Sequence, residues 1–279
     1  MAHGVSVHVG LNSVDPDHYG GWDGTLLACE FDARDMQSLA QSKGLDSALL
    51  LTADATSAAV TDAIERAAQT LEAGDLLFLT YSGHGGQVPD TNGDEPDDAR
   101  DETWVLYDRQ LVDDELYALW GRFQPGVRIF VLSDSCHSGS VARDVFDAAV
   151  PHIVQRGMVD DEAPRTKDLP PDVEDETYQQ NKDVYEEIQR STPDSAETDP
   201  QASILLISGC QDNQLSLDGR RNGLFTQNVV EVWGGGSWNG TYRRFWKKVA
   251  SRMPPTQSPN YFRTGARDRT FERQTPLTV

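Results

Sequence analysis

Two reactive side chains sit in matching company. His84 lies in Tyr81-Ser-Gly-His-Gly-Gly86, straight after the apolar run Leu76–Leu79. Cys136 lies in Leu132-Ser-Asp-Ser-Cys-His-Ser-Gly-Ser140, straight after a second apolar run, Val127–Leu132. A free thiol is mostly protonated at neutral pH, and the thiolate is the nucleophile. An imidazole within reach can take the thiol proton or deliver one to a leaving amine. The backbone N–H groups of Gly85 and Cys136 are candidate donors to an oxyanion, and glycine lets a backbone approach closely. Taken singly, a cysteine is usually a small buried hydrophobe and a histidine after a strand a polar loop residue. The repeated pattern outweighs both bland readings and predicts a nucleophile–base pair. His137 is less suited to be the base, because adjacent side chains diverge. Ser135 and Ser138 lack the G-x-S-x-G elbow of a serine nucleophile.

Two strand ends must lie side by side for this to work. Val5–Leu11, Ala48–Leu51, Leu76–Thr80, Val127–Leu132 and Ile204–Ile207 read as buried strands. Leu26–Lys43, Thr56–Leu71, Asp113–Trp120, Asn222–Trp233 and Thr241–Met253 read as helices, with Thr56 or Ser57 as a cap and Gly44 as a stop. The alternation predicts an α/β fold, a mostly parallel central sheet with helices on both faces. Ligands of such sheets bind beyond the carboxyl ends of the strands, where His84 and Cys136 fall. Two acidic stretches interrupt the alternation. Asp90–Glu102 reads as a polar loop. Asp160–Pro200 lies in an insertion at about 155–202 that reads as exposed, with Tyr178–Arg190 able to form a helix.

The totals limit the choices. A chain of 279 residues can form one domain with a sizeable core, and 38% hydrophobic with 25% charged residues is a globular composition. The net charge of −21 argues against nucleic-acid binding and suits cationic partners or a divalent metal. No apolar stretch is long enough for a membrane helix, and Met1–Asn12 does not read as a signal peptide, so a cytoplasmic protein is expected. Cys29, Cys136 and Cys210 are too few and too odd in number for a disulfide framework.

The motifs YSGHGGQ, DTNGDE and DSCHSGS together resemble the metacaspase and orthocaspase branch of the caspase-like cysteine peptidases. Leu27–Ala33, Ile207–Gln214, Gly223–Thr226 and Gln257–Pro259 are similar to further segments of that family, with Phe31 where the family has Asn. The spacing of 52 positions from His84 to Cys136 matches a known caspase habit. The resemblance implies a caspase-like three-layer sandwich in one domain, residues 1–279, working as a monomer. It implies His84 and Cys136 as the catalytic dyad and Gly85 as an oxyanion donor. It also implies a pocket for Arg or Lys built from Asp32, Ser82 and Asp134. That pocket has its own physical case. A carboxylate two residues before the nucleophile lies on the same side of an extended segment. Paired carboxylates at a cleft floor suit a basic side chain.

The resemblance further implies a calcium site formed by Asp101, Asp113, Asp114 and Asp144, and carboxylate oxygens suit that ion. Asp90–Glu95 is not an EF-hand, because its glycine is misplaced. Members of the family often cut themselves after a basic residue, and the insertion offers Arg156, Arg165, Lys167, Lys182 and Arg190. The expected function is therefore a calcium-dependent cysteine endopeptidase acting on proteins or peptides after Arg or Lys. The alternatives are a catalytically silent calcium-binding or scaffold protein of the same fold, and a hydrolase of another amide or thioester.

Overall fold

The computed structural model describes residues 2–91, 93, 99–136, 165–193, 198–211 and 214–279. Six strands form the main sheet: β1 (Gly4–Gly10), β2 (Asp46–Leu51), β3 (Leu76–Ser82), β7 (Arg128–Asp134), β8 (Ser203–Ser208) and β9 (Asn260–Gly265), in the order β2-β1-β3-β7-β8-β9. All neighbours are parallel except β8 and β9. Every residue of β3 and β7 is buried, as expected for central strands covered on both faces.

The two-residue period of a strand divides the core. Leu77, Leu79 and Tyr81 of β3 face one side with Ile129 and Val131 of β7. They pack on α2 (Ser57–Thr70), through Val60, Ala63, Ile64 and Ala67, and on α3 (Asp113–Trp120). Phe78, Phe130, Leu132, Leu205 and Ile207 face the other side. There they meet α1 (Cys29–Ser42), α6 (Leu224–Trp233), α7 (Tyr242–Ala250) and α8 (Arg269–Arg273). This is the three-layer arrangement expected from the alternating sequence. Thr56 caps α2 by accepting from Ala59 N at 3.2 Å. Gly44, at φ +80°, follows α1 in a conformation that disfavours other residues.

Two features depart from the sequence reading. β9 is largely exposed and rich in polar residues, so it lacks a buried-strand pattern and gains its place by pairing with β8. A second sheet, β4 (Gly85–Pro89), β5 (Arg100–Val105) and β6 (Gln110–Val112), is antiparallel. β4 opens on glycines and ends on proline, and β5 begins inside the acidic stretch read as a loop. Composition hid both strands.

The described part of the insertion holds two helices, one of them lying almost wholly within Tyr178–Arg190, where the sequence allowed a helix. Helices α4 (Pro171–Gln180) and α5 (Lys182–Ser191) meet at Asn181, whose Nδ2 donates to Thr177 O and His18 O. Tyr178 and Tyr185 pack with Val88 and Val112, fastening the pair of helices onto the small sheet. All three cysteines are buried and free.

Candidate active site

The register of the central strands brings the two motifs together. Ser82 pairs with Asp134 at the ends of β3 and β7. His84 and Cys136 each follow two residues later. Gly85 N and Cys136 N donate to one and the same oxygen, the Lys167 carbonyl, each at 3.0 Å. The two amides named as oxyanion donors therefore converge on a single carbonyl, and that carbonyl comes from the insertion.

The chain around Lys167 lies in the cleft as an added strand. Lys167 N donates to Ser216 O at 3.0 Å, and Asp218 N donates to Arg165 O at 2.9 Å, with Thr166 bridged antiparallel to Leu217. Beyond Lys167, Leu169 N donates to Gly85 O at 2.7 Å. Both backbone edges of the cleft are thus engaged, one on each side of the Lys167–Asp168 peptide bond.

The Lys167 side chain is fully buried and its ammonium has three oxygen partners. Asp32 Oδ2 and Asp134 Oδ2 each lie 3.0 Å away and Ser82 Oγ lies 2.9 Å away. These are the three residues expected to form a pocket for a basic side chain. Burial alone would lower the lysine pKa, but Asp134 and Asp32 outweigh it and raise it well above the usual value. Asp32 is raised to about 6, first by burial and further by Asp134, with Lys167 pulling against both. The carboxylates are themselves held. Asp32 Oδ1 accepts from Asn222 Nδ2 and Gly223 N, each at 3.0 Å. Asp134 accepts from Ser216 Oγ at 2.6 Å and from Thr226 Oγ1 at 2.8 Å. A methyl group on Gly223 would overlap the Lys167 ammonium and stand 2.5 Å from Asp134 Oδ2. The bare glycine forms the pocket wall.

His84 is buried between two carbonyls. Its Nε2 lies 2.9 Å from Gly24 O and its Nδ1 lies 3.1 Å from Asp168 O. A neutral ring has one proton for two acceptors. A proton on Nε2, held by Gly24, leaves the Nδ1 lone pair against Asp168 O, whereas the charged ring satisfies both carbonyls. Burial lowers the pKa of the ring, while the bond to Gly24 and the charge of Asp168 oppose the shift. Trp22 packs on the imidazole with ring centres 4.7 Å apart. Tyr81 supports the turn from below: its hydroxyl lies 2.6 Å from His84 O and 3.0 Å from Val105 O, and its ring stacks on Trp104.

Cys136 is fully buried, and its Sγ accepts from Ser216 N rather than bonding with His84. It lies in a small cluster with Cys210 and Leu215. Burial raises the thiol pKa well above its usual value, with Cys210 adding to the effect and Ser216 N opposing it. In this arrangement the thiol is protonated and turned toward Ser216.

The acids expected to bind calcium sit against the insertion helices. Asp101 of β5 is buried, and its Oδ2 accepts from Gln189 Nε2 of α5 at 2.6 Å. Asp114 is buried in the first turn of α3, where its N–H donates to Asp113 Oδ1 at 3.0 Å. Asp101 and Asp114 each stand two residues along from the Thr103–Val112 pair. Asp144 lies outside the described residues. Carboxylates suit calcium in donor type, but among the described residues no three acidic, His or Cys side chains gather where a metal could be held.

Several site residues were not assigned from sequence. Ser216 and Leu217 form the receiving edge, braced by Gln257, whose Nε2 donates to Ser216 Oγ at 2.8 Å and whose Oε1 accepts from Leu217 N. Gly24 contributes only a carbonyl, so no side-chain pattern could mark it. Asn222, Gly223 and Thr226 lie in or beside a motif that was recognised, and their role in holding the acids emerges only in three dimensions.

Comparison with known proteins gives the chain's relatives. The family model described as the caspase domain matches residues 14–271. Metacaspase-1 of Mycosarcoma maydis is 31% identical over 240 residues, covering 75% of this chain and 58% of that protein. Metacaspase-1A of Neurospora crassa is 41% identical over 139 residues, covering 44% of this chain and 30% of that protein. The chain thus spans less than two thirds of the length of these curated relatives. Among solved structures, a Geobacter sulfurreducens protein of 49% identity superposes with a TM-score of 0.87, covering 99% of both chains. Caspase-1 from Spodoptera frugiperda, at 10% identity and a TM-score of 0.51, covers 95% of this chain and 86% of its own, a likeness of fold alone.

Proposed function

The chain belongs to the caspase-domain family, as a metacaspase-like member, and on that footing we propose that it is a cysteine endopeptidase that cuts after Lys or Arg and whose first substrate is its own Lys167–Asp168 bond. One observation carries the reading. The Lys167 ammonium is shared between Asp32 and Asp134 while its carbonyl receives the amides of Gly85 and Cys136. A basic residue in an acidic pocket with its carbonyl in a two-donor hole is the geometry of a bound acyl donor.

The chemistry follows from these positions. Cys136 turns from Ser216, and His84 takes its proton. The sulfur attacks the Lys167 carbonyl carbon, a C–S bond forms, and the oxyanion is held by Gly85 N and Cys136 N. Gly24 O and Asp168 O both accept from the charged imidazole. The bond from Lys167 C to Asp168 N then breaks as His84 returns the proton to that nitrogen. Water, deprotonated by His84, hydrolyses the thioester and leaves Lys167 with a free carboxylate. A silent scaffold has no need of this constellation.

Mass spectrometry of the incubated chain under denaturing conditions tests the proposal. The expected products are residues 1–167 and 168–279, absent in Cys136→Ala and in Lys167→Gln and retained in Lys167→Arg. A chain that stays whole, or one cut equally in Lys167→Gln, refutes it. Calcium dependence is part of the proposal and rests on the oxygen chemistry of buried Asp101 and Asp114; no chemical step runs through the ion. Calcium titration of Cys136→Ala, followed by tryptophan fluorescence with Asp101→Asn as control, checks it. An unchanged signal counts against it.

A further inference from the structure

Leu169, two residues beyond the Lys167–Asp168 bond, is buried in an apolar pocket. It packs with Val14, Tyr19 and Val105, and Trp22 and Val173 close the rim. The pocket is built rather than incidental. The Tyr19 hydroxyl donates to Leu106 O at 2.7 Å, which ties the polar end of that ring away from the cavity. Gly86 leaves the floor open: a Cβ there would lie 3.1 Å from Leu169 Cδ2 and 2.7 Å from Gln110 Oε1. The backbone bond from Leu169 N to Gly85 O fixes the register. It comes from the same glycine whose N–H serves the Lys167 carbonyl. Trp22, which packs on His84, also borders this cluster, so the imidazole and the pocket share a wall.

We infer that this pocket is a specificity subsite for the second residue on the leaving side of the cut, and that it takes an aliphatic side chain of about leucine's size. The inference rests on the proposed peptidase activity and deepens it. The acidic pocket reads charge at the residue before the cut, and the apolar pocket reads hydrophobicity two residues after it. Both fix the scissile bond against Gly85 and Cys136. A charged residue at the second position would be stripped of water among Val14, Tyr19 and Val105 with no partner, which is costly. An alanine would leave most of the space empty. Substrates with a basic residue followed two positions later by Leu, Ile or Met are therefore the class preferred.

The test uses the full chain after self-cutting is complete. Quenched peptides Thr-Arg-Thr-Lys-Asp-X-Pro with X as Leu, Met, Ala or Asp are compared by kcat/KM. A Lys-aminocoumarin substrate, which has nothing beyond the cut, is run beside them. Leu is expected about tenfold above Ala and about 100-fold above Asp, from the burial of an aliphatic side chain and the exclusion of a charge. In parallel, uncut Leu169→Met should cleave itself near the normal rate and Leu169→Asp at least tenfold more slowly. A flat peptide series, or a Leu169→Asp chain that cuts itself as fast as the wild type, overturns the subsite. If this happens while Lys-aminocoumarin is turned over, the proposed peptidase activity stands. No turnover of Lys-aminocoumarin removes that activity and this inference with it.

Discussion

Replacing Asp134 by Asn tests the pocket with little change of shape. Asp134 is buried, and its Oδ2 lies 3.0 Å from the Lys167 ammonium and 2.8 Å from Thr226 Oγ1, while Oδ1 accepts from Ser216 Oγ. The amide removes the charge and turns one acceptor into a donor. Breaking a buried ion pair by removing one partner costs about 3–5 kcal/mol. Asp32 still lies 3.0 Å from the ammonium, so the lower end applies, about 3 kcal/mol. At 1.36 kcal/mol per decade that is a loss of about 150-fold in kcat/KM for a lysyl substrate. The assay compares lysyl and norleucyl aminocoumarins in wild type and Asp134→Asn. Turnover of the lysyl substrate should collapse, while the uncharged isostere, poor in both proteins, should change little. A lysyl loss below threefold, or an equal loss for both substrates, refutes the idea that this carboxylate reads the charge.

Acidification should weaken the same pocket. Asp32, raised to about 6, gains a proton as pH falls from 7 to 5, so KM for lysyl peptides should rise over that interval in the wild type and stay level in Asp32→Asn. The folded chain holds this proton more tightly than the unfolded one, where a carboxyl keeps its ordinary value of 3.8, so the stabilisation that protonation brings is full below that value and fades as pH rises through about 6. Gly223→Ala is expected to abolish cutting after Lys167 without a large fall in Tm. Its φ of −57° and ψ of 150° suit alanine, and the obstructed groups are side-chain ends, the Lys167 ammonium and the Asp134 carboxylate, rather than backbone; intact mass and a thermal melt check both halves. Tyr81→Phe should lose about 1 kcal/mol in urea denaturation and lower kcat several-fold, because the hydroxyl beneath the His84 turn is gone. A variant with unchanged stability and rate would show that the turn holds itself.

The five parallel strands of the main sheet were legible because they are apolar runs between helices of ordinary period, and the placing of His84 and Cys136 followed from that order. Asp32, Ser82 and Asp134 came from the family resemblance, and only Asp134, two residues before Cys136, had a physical case of its own; the structure gathers all three around Lys167. Lys167 stood as one of five basic residues in the insertion, and nothing in its immediate sequence singled it out. Its seat depends on backbone bonds from Gly85, Cys136 and Ser216, which any residue type can make. The same reason hid Gly24. β9 and the small sheet escaped because pairing, rather than a buried apolar face, holds them. The composition of the insertion suggested a solvated segment, yet its described part is held by buried Leu169, Tyr178 and Tyr185 and by the Lys167 and Gln189 side chains.

Strand order decides what scission would do to the molecule. The Lys167–Asp168 bond falls between β7 and β8 in sequence, but those strands are adjacent in the sheet and hydrogen-bonded over six residue pairs. Helices α4 and α5 would go with the later piece and still rest on the small sheet of the earlier one. A severed chain is therefore a noncovalent heterodimer with a continuous core: two bands on a denaturing gel, one particle on a native column.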